Sequence, residues 1–342
     1  MTGIPAWNRL SDLLDSFQGI RILVLGDLVL DEFLFGEIRR VSREAPVLIL
    51  DHTETACHPG GGANAIQNLF NLGAKVIPVG IVGNDPSGRE LLKILRSWEI
   101  DTAEIMVGPQ WQTPTKTRIL AGLPQSSKQQ VLRVDRGDRG GVPEGASAQI
   151  LSSLRRRVGE VQGMLISDYG YGSIPAGEIS AILGVAKRSG LRVTVDSRNQ
   201  LAAFHGITAA TPNLEEAEKI LEFRIGDDEQ RLAEAGRNLL DRVETEALLI
   251  TLGSRGMGLF LGNQTGMERI PASGPRNPVD VTGAGDTVIS VFTLGILAGG
   301  SFLEAAHLAN IAAGISVMKL GTEPVSTIEI RQKIQAGKKE DR

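Results

Sequence analysis

Residues Asn277–Thr287 read NPVDVTGAGDT and lead into an apolar, helix-like stretch. Gly283, Ala284 and Gly285 place three small residues at the mouth of that helix. Unpaired backbone N–H groups there can approach an anion closely, and the helix dipole favours negative charge. Asp286 falls in the first turn beside this cradle. In a phosphoryl transfer it could take the proton of an attacking hydroxyl while the amides hold the phosphate oxygens. A plainer reading uses Thr282 as an N-cap and Asp286 as a complement to the dipole. His58–Asn64, HPGGGAN, is a second candidate: three glycines let backbone approach a ligand and Asn64 can bond hydroxyls, although a tight strand-to-helix turn explains the same pattern.

Three further groups follow. Gly26-Asp27, with Asp31, lies just past an apolar run, where ligands sit in open α/β sheets. An aspartate there suits paired sugar hydroxyls, or an Asx-type turn. Asn213 and Glu216 share a helix face and could organise Mg²⁺ through water; they equally spell a capping box. Thr251-Leu-Gly253-Ser-Arg-Gly256 links two strand-like runs, and either covers a nucleotide or turns the chain. His52, His58, His205 and His307 show no metal-ligand spacing. There is no G-x-G-x-x-G after the first strand, no G-x-x-x-x-G-K-[ST] and no G-x-S-x-G, which weakens dinucleotide, P-loop and α/β-hydrolase readings.

The elements that must position these residues alternate. Arg21–Asp27, Val76–Gly83, Gly163–Asp168, Leu191–Arg198, Ala209–Asn213, Glu246–Gly253 and Gly256–Gly262 carry strand signals. Ala6–Phe17, Ser87–Ile100, 146–161, Asp286–Ala298 and Phe302–Lys319 read as helices, as does the stretch leaving the glycine-rich turn at His58–Ala74. That order predicts a mainly parallel sheet covered on both faces. Phe33–Phe35, Val47–Asp51 and the stretches 113–120 and 129–135 look like strands not separated by helices, hence a small β layer apart from the main sheet. With no low-complexity linker and no repeat, the reading is one α/β domain over 1–330, lid strands within 33–57 and 105–135, and a tail at 331–342.

Composition narrows the class. The 342 residues are 42% hydrophobic and 22% charged, the mix of a chain with a real core. The 36 basic and 40 acidic residues give a net charge of −4, so no bulk positive field holds nucleic acid or an anionic membrane. The single cysteine, Cys57, excludes an intramolecular disulfide and a cysteine zinc cage. No apolar run approaches the ~20 residues that span a bilayer, and the N-terminus lacks a secretory pattern. The expectation is a cytoplasmic protein.

From Arg21 to about Ile330 these pieces, in this order, resemble the ribokinase-like (PfkB-type) sugar kinases, on the signatures GGGANAIQNLFNLG (Gly60–Gly73) and DVTGAGDT (Asp280–Thr287). The resemblance implies a three-layer αβα sandwich with a small β-strand lid, ATP as donor with Mg²⁺, and Asp286 as general base with Gly283–Gly285 as the anion hole. It implies that Asp31, Gly61, Gly62 and Asn64 hold the sugar. Asn213 and Glu216 match its N-x-x-E motif for metal and phosphate, Glu216 through water. Thr251, Gly253, Gly256 and Asn310 match its nucleotide edge. A monovalent-cation requirement stays open.

Within the family the chain is most similar to the heptose 7-phosphate kinases, on GDLVLDEFLFGEIRRVSREAPV (Gly26–Val47), TKTR (Thr115–Arg118), ISDYGYG (Ile166–Gly172) and KLGTEPVS (Lys319–Ser326). That likeness implies γ-phosphoryl transfer to the anomeric hydroxyl of D-glycero-D-manno-heptose 7-phosphate. A phosphorylated substrate needs a second anion site, and Arg39, Arg40, Arg43, Lys116, Arg118 and Arg198 are the available cations; a solvated lid surface accounts for part of that set. Two positions depart from the branch: Tyr171 replaces its usual lysine, and Ser197-Arg198 replaces Pro-Lys. The sugar is therefore open, with another sugar, sugar phosphate or nucleoside as the first rival. A non-catalytic sugar-binding protein is the rival of another class. Bifunctional relatives carry a nucleotidyltransferase with an H-x-G-H motif. None occurs in these residues, so the expectation is that another protein performs adenylylation. The resemblance also implies a homodimer paired through the lid.

Overall fold

The computed structural model describes residues 5–123, 126, 128–137, 143–274 and 277–340; the remaining positions of the ranges read above, 341–342 of the tail among them, lie outside the described residues. The chain runs α1 (Trp7–Asp15), β1 (Arg21–Gly26), β2 (Leu28–Val41), β3 (Leu48–Gly61), α2 (Gly62–Asn71), β4 (Lys75–Gly83), α3 (Pro86–Ser97), β5 (Ile105–Gly108), β6 (Thr115–Gly122) and β7 (Gln129–Arg136). It continues with α4 (Ala146–Arg157), β8 (Gly163–Asp168), α5 (Ile179–Arg188), β9 (Arg192–Ser197), β10 (Ala209–Ala210), α6 (Leu214–Leu221), α7 (Glu229–Val243), β11 (Ala247–Thr251), β12 (Met257–Leu261), β13 (Met267–Ile270), α8 (Ala284–Leu297), α9 (Phe302–Ser316) and α10 (Thr327–Glu340).

Nine strands form one sheet in the order β13-β12-β11-β10-β9-β8-β1-β4-β5. It is parallel from β5 to β11, and β12 and β13 add an antiparallel edge. The parallel strands are apolar on both faces because helices cover both. Ile22 and Val24 face a core with α1, α2, α3, α8, α9 and α10. Their neighbours Leu23 and Leu25 face a core with α4, α5 and α7. This is the three-layer αβα arrangement expected. Among the described residues no helix is long and apolar enough to cross a membrane.

The separate four-stranded sheet has the order β3-β2-β6-β7. Its strands outrun the sequence reading: β2 and β3 are each 14 residues long. Much of their length is exposed and polar, so hydrophobic alternation marks only fragments; pairing with β6 and each other, past irregularities at Phe35/Gly36 and Ile38/Arg40, sustains the rest. Other expectations are corrected. The glycine-rich stretch is not a turn: β3 runs through Gly61 and α2 starts at Gly62, with Gly61 at φ 53° making the switch. The strand expected over Ala209–Asn213 is only Ala209–Ala210. Met267–Ile270 is a strand the sequence did not announce. The expected tail is helix as far as Glu340. Ile330 and Ile334, one turn apart, are buried, and Arg331 pairs with Asp15 of α1.

Candidate active site

The carboxyl ends of β8, β9, β10 and β11 open on one cavity of about 720 Å³, flanked on the other side by β2 and β6 of the small sheet. Ligands gather at such strand ends in open α/β sheets. The mouth of α8 closes a third side.

Gly283 is the N-cap of α8, left-handed at φ 77°, and no side chain caps the helix. A Cβ on Gly283 would lie 2.6 Å from Asn64 Nδ2, so only glycine permits this approach. Thr282 is not the cap; its N–H donates to Asp280 Oδ1. Gly283, Gly285 and Asp286 line the cavity. Asp286 is 2% exposed. Asn64 Nδ2 donates to its Oδ2 and the Tyr169 hydroxyl to its Oδ1, both at 2.7 Å. Burial pushes its pKa from 3.8 to about 6, although these bonds and the charges of Lys116 and Arg198 pull the other way. Behind it, Asn68 donates to Asn64 Oδ1 and accepts from Thr287 Oγ1, which fixes the Asn64 amide.

Across the cavity, Arg118 Nη1 donates to Asp31 Oδ1 at 2.7 Å, and both are buried. Arg198 lies over the Tyr169 ring at 4.1 Å and Lys116 at 4.8 Å. Arg133 of β7 also lines this wall. Arg39, Arg40 and Arg43 sit at the outer end of the β2–β3 hairpin, exposed and off the cavity wall; Arg39 faces Asp51 at 3.6 Å. Gly61 lines the cavity, whereas Gly62 is packed against the Gly26 backbone and donates to the Asp27 carbonyl. Asn64 meets the cavity only through Asp286. Asp27, proposed from sequence beside Asp31, is wholly buried and accepts from the N–H groups of Tyr169, Tyr171 and Ser173 at 2.8–2.9 Å. It fastens the loop after β8 instead of meeting a ligand. The buried Ser197 donates to Asp168, and Tyr171 borders the cavity.

Asn213 and Glu216 satisfy both of their sequence readings. They form the capping box of α6, and both face the cavity. Burial raises the pKa of Glu216 and, together with the Glu216 charge, that of Asp196 at the end of β9. Asp196 and Glu216, two half-buried carboxylates on the cavity wall beside Arg198, fit a hydrated divalent cation, since Mg²⁺ needs only one or two carboxylates when phosphates supply the rest. No denser cluster of metal-ligating side chains exists among the described residues.

A second, apolar cavity of about 180 Å³ adjoins the first, sharing Thr251, Val281 and Gly285 with it. Gly253, Gly256, Met257, Ala284, Val288 and Asn310 line it. Gly256 is left-handed at φ 86°, and a Cβ there would fall 2.1 Å from the Ile270 carbonyl. Asn310 donates to the Pro271 carbonyl at 2.8 Å, tying α9 to the end of β13. A polar, cation-lined chamber and an apolar slot thus meet at an uncapped helix mouth with one buried carboxylate between them. Sequence reasoning missed Tyr169, Arg133 and Asp196 as site residues. For Tyr169 and Asp196 a signal existed: each lies at or just past the carboxyl end of an apolar strand.

The family profile of pfkB carbohydrate kinases matches residues 22–328. The chain is 39% identical over 314 residues to the Bifunctional protein HldE of Geobacter metallireducens, covering 92% of this chain and 62% of that one. To its counterpart in Geobacter sulfurreducens it is 38% identical over 313 residues, 91% of this chain and 62% of that one. The chain thus spans about 62% of the length of these relatives. Escherichia coli phosphofructokinase-2, solved in complex with potassium, superposes with a TM-score of 0.72 at 16% identity, over 93% of this chain and 99% of that one. Arabidopsis thaliana ribokinase, complexed with ribose and ATP, gives 0.70 at 17% identity over the same shares, so both have this ribokinase-like fold. With its two signatures, its αβα layers and its match across residues 22–328, the chain belongs to the pfkB family of carbohydrate kinases.

Proposed function

We propose that this carbohydrate kinase transfers the γ-phosphoryl of ATP to the anomeric hydroxyl of D-glycero-D-manno-heptose 7-phosphate, giving the 1,7-bisphosphate. The observation that carries the reading is the wall of Lys116, Arg118, Arg133 and Arg198 facing the α8 mouth across a chamber of about 720 Å³. An anion at one end, a hydroxyl beside Asp286 and a second anion on the helix amides is the layout a sugar phosphate kinase needs.

Asp286 accepts the acceptor hydroxyl's proton as that oxygen bonds to the γ-phosphorus. The bond to the β–γ bridging oxygen breaks, and ADP leaves with its electron pair. A pKa of about 6 keeps Asp286 ionised at neutral pH yet basic enough to take the proton. The amides of Gly283–Gly285 hold the charge on the transferring oxygens. The divalent cation, when bound, neutralises phosphoryl oxygens, and Asp196 and Glu216 are the carboxylates that would hold it, Glu216 through water. Thr251, Gly253, Gly256 and Asn310 edge the apolar slot for the nucleotide, with Asp31, Gly61 and Asn64 on the sugar side. The small sheet serves as the lid of one kinase unit working in the cytoplasm. A homodimer through that lid is supported by β7, exposed along its whole length and carrying Val131, Leu132 and Val134; light scattering tests it.

ADP release is measured over heptose 7-phosphate, fructose 6-phosphate, ribose, fructose and adenosine, in potassium and in tetramethylammonium buffers. Turnover of heptose 7-phosphate well above the rest supports the reading. Turnover of an unphosphorylated sugar with none on heptose 7-phosphate overturns the substrate and leaves the kinase.

A further inference from the structure

Asp286 is reached from the cavity on the side that Tyr169 covers. Its Oδ2 is turned inward to the buried Asn64, and its Oδ1 accepts from the Tyr169 hydroxyl at 2.7 Å. Burial and the Asp286 charge hold the phenol far into its protonated form, so it remains a donor to the carboxylate. The ring lines the cavity, with Arg198 at 4.1 Å and Lys116 at 4.8 Å over it and Gly61 beside it. The backbone beneath is fixed, because Asp27 Oδ2 accepts the Tyr169 N–H at 2.8 Å. Displacement of the side chain is therefore a rotation about its own bonds, with the loop held in place.

We propose that Tyr169 is a stopper over the base, displaced by an anionic sugar and not by water, and that it sets the ratio of sugar phosphorylation to futile ATP hydrolysis. The cations that cover the ring are also those that face an incoming phosphate. A sugar phosphate that engages Lys116 and Arg198 exchanges a cation–π contact for a charge pair, the stronger of the two. That frees the ring to turn away and gives the sugar hydroxyl the Oδ1 site. Water brings no anion, so it must displace the phenol unaided. Without the stopper, water donates its proton to Asp286, its oxygen bonds to the γ-phosphorus, and ADP and phosphate are released. The proposal rests on Asp286 being the base.

The test is Tyr169→Phe, which keeps the ring and removes the hydroxyl, with Tyr169→Leu as a second variant and unfolding midpoints as the check on folding. A hydrogen bond to a charged group is worth roughly tenfold or more. Sugar-independent ATP hydrolysis should rise by about that factor relative to phosphorylation. Calorimetric binding of heptose 7-phosphate, or of whichever sugar phosphate the panel selects, should tighten without ATP present. A tyrosine that merely supports the fold would lower hydrolysis and transfer together. That result, or an unchanged ratio with unchanged sugar affinity in folded protein, overturns the proposal. Asp286→Asn separates the two ideas: if it keeps both activities, the base assignment fails; if it loses both while Tyr169→Phe changes neither ratio nor affinity, only the stopper fails.

Discussion

Replacing Asp286 by asparagine should abolish turnover and make the protein more stable, with a pH dependence that identifies the cause. The carboxyl is 2% exposed, and burial lifts its pKa from 3.8 to about 6. A raised folded-state pKa means that the fold prefers the protonated group. Below pH 3.8 the acid is neutral in folded and unfolded chains alike, so the stabilising preference is fully present. As pH rises through about 6 it is lost, and the buried charge then costs about 3 kcal/mol, at 1.36 kcal/mol per tenfold change in proton affinity. Asparagine is isosteric. It can accept the Asn64 amide on its oxygen and turn its own amide to the Tyr169 oxygen, whose proton then turns to the cavity the ring lines, so Asn64 keeps its partner. At pH 8 the variant should be stabilised by ~2–3 kcal/mol, which for 342 residues is roughly 4 °C in Tm, and the advantage should vanish near pH 4. Urea unfolding at pH 8, 6 and 4.5 reads the stability, and ADP release reads a fall of well over ~10²-fold in kcat. A variant less stable at pH 8, or stabilised equally at every pH, would refute the electrostatic account; near-normal turnover would remove Asp286 as the base.

For the wild type, kcat/KM should fall by half near pH 6 on the acid side. Lys116→Met should move that limb upward in pH, because the lysine charge lowers the Asp286 pKa; a limb unmoved in the variant contradicts this. Arg118→Met strands the buried Asp31 and should cost ~3–5 kcal/mol in urea unfolding, most of it recovered by adding Asp31→Leu. Glu104 is buried, which raises its pKa, yet hydrogen bonds from Arg156, Ser153 and Arg157 hold it at about 2. Its depressed value stabilises the fold above the ordinary 4.5, a contribution lost as pH falls towards 2. Since Arg156 is half exposed, Glu104→Gln should cost only ~1–2 kcal/mol at pH 7 and almost nothing at pH 2, by urea titration.

What the sequence discloses depends on how local the cause is. The helix mouth was legible because small residues and an acid at fixed spacing are a local statement, and the central strands because burial on both faces writes unbroken apolar runs. Asp27 and Asp31 show the limit. They stand four residues apart on the same side of the first strand and look alike, yet one is consumed by three loop amides and the other by an arginine from β6. Those partners come from 87 to 146 positions away, where no pattern near residue 30 can announce them. Tyr169 was hidden for the same reason: its contact with Asp286 spans 117 positions and exists only because β8 ends opposite α8. The helix at the C-terminus was hidden differently. The charged run after Gly337 drew the reading to a tail, while Ile330 and Ile334 on α10 carried the burial signal.

The same topology explains why the site concentrates unrelieved charge. Parallel strands deliver their carboxyl-end residues to one edge, and here three of them end in or beside an aspartate, Asp27, Asp168 and Asp196, while the turn after β10 leads to Glu216. Scattered across a surface such groups would be solvated; here burial is the first cause of the raised pKa values of Asp27, Asp196 and Glu216, and neighbouring carboxylates add to it, Asp168 for Asp27, Glu216 for Asp196 and Glu215 for Glu216. The chain relieves the innermost with its own donors: backbone N–H groups for Asp27, and Ser197 for Asp168. Glu216 keeps the Asn213 N–H of its capping box and Asp286 keeps two neutral donors, with the charges of Lys116 and Arg198 to offset its own. These carboxylates, with the cations across the cavity, face the uncapped amides of α8 and lie beside the apolar slot. A cavity built this way is less stable empty than filled, and what fills it best is a phosphate chain accompanied by a cation, which satisfies the amides and the carboxylates in one event.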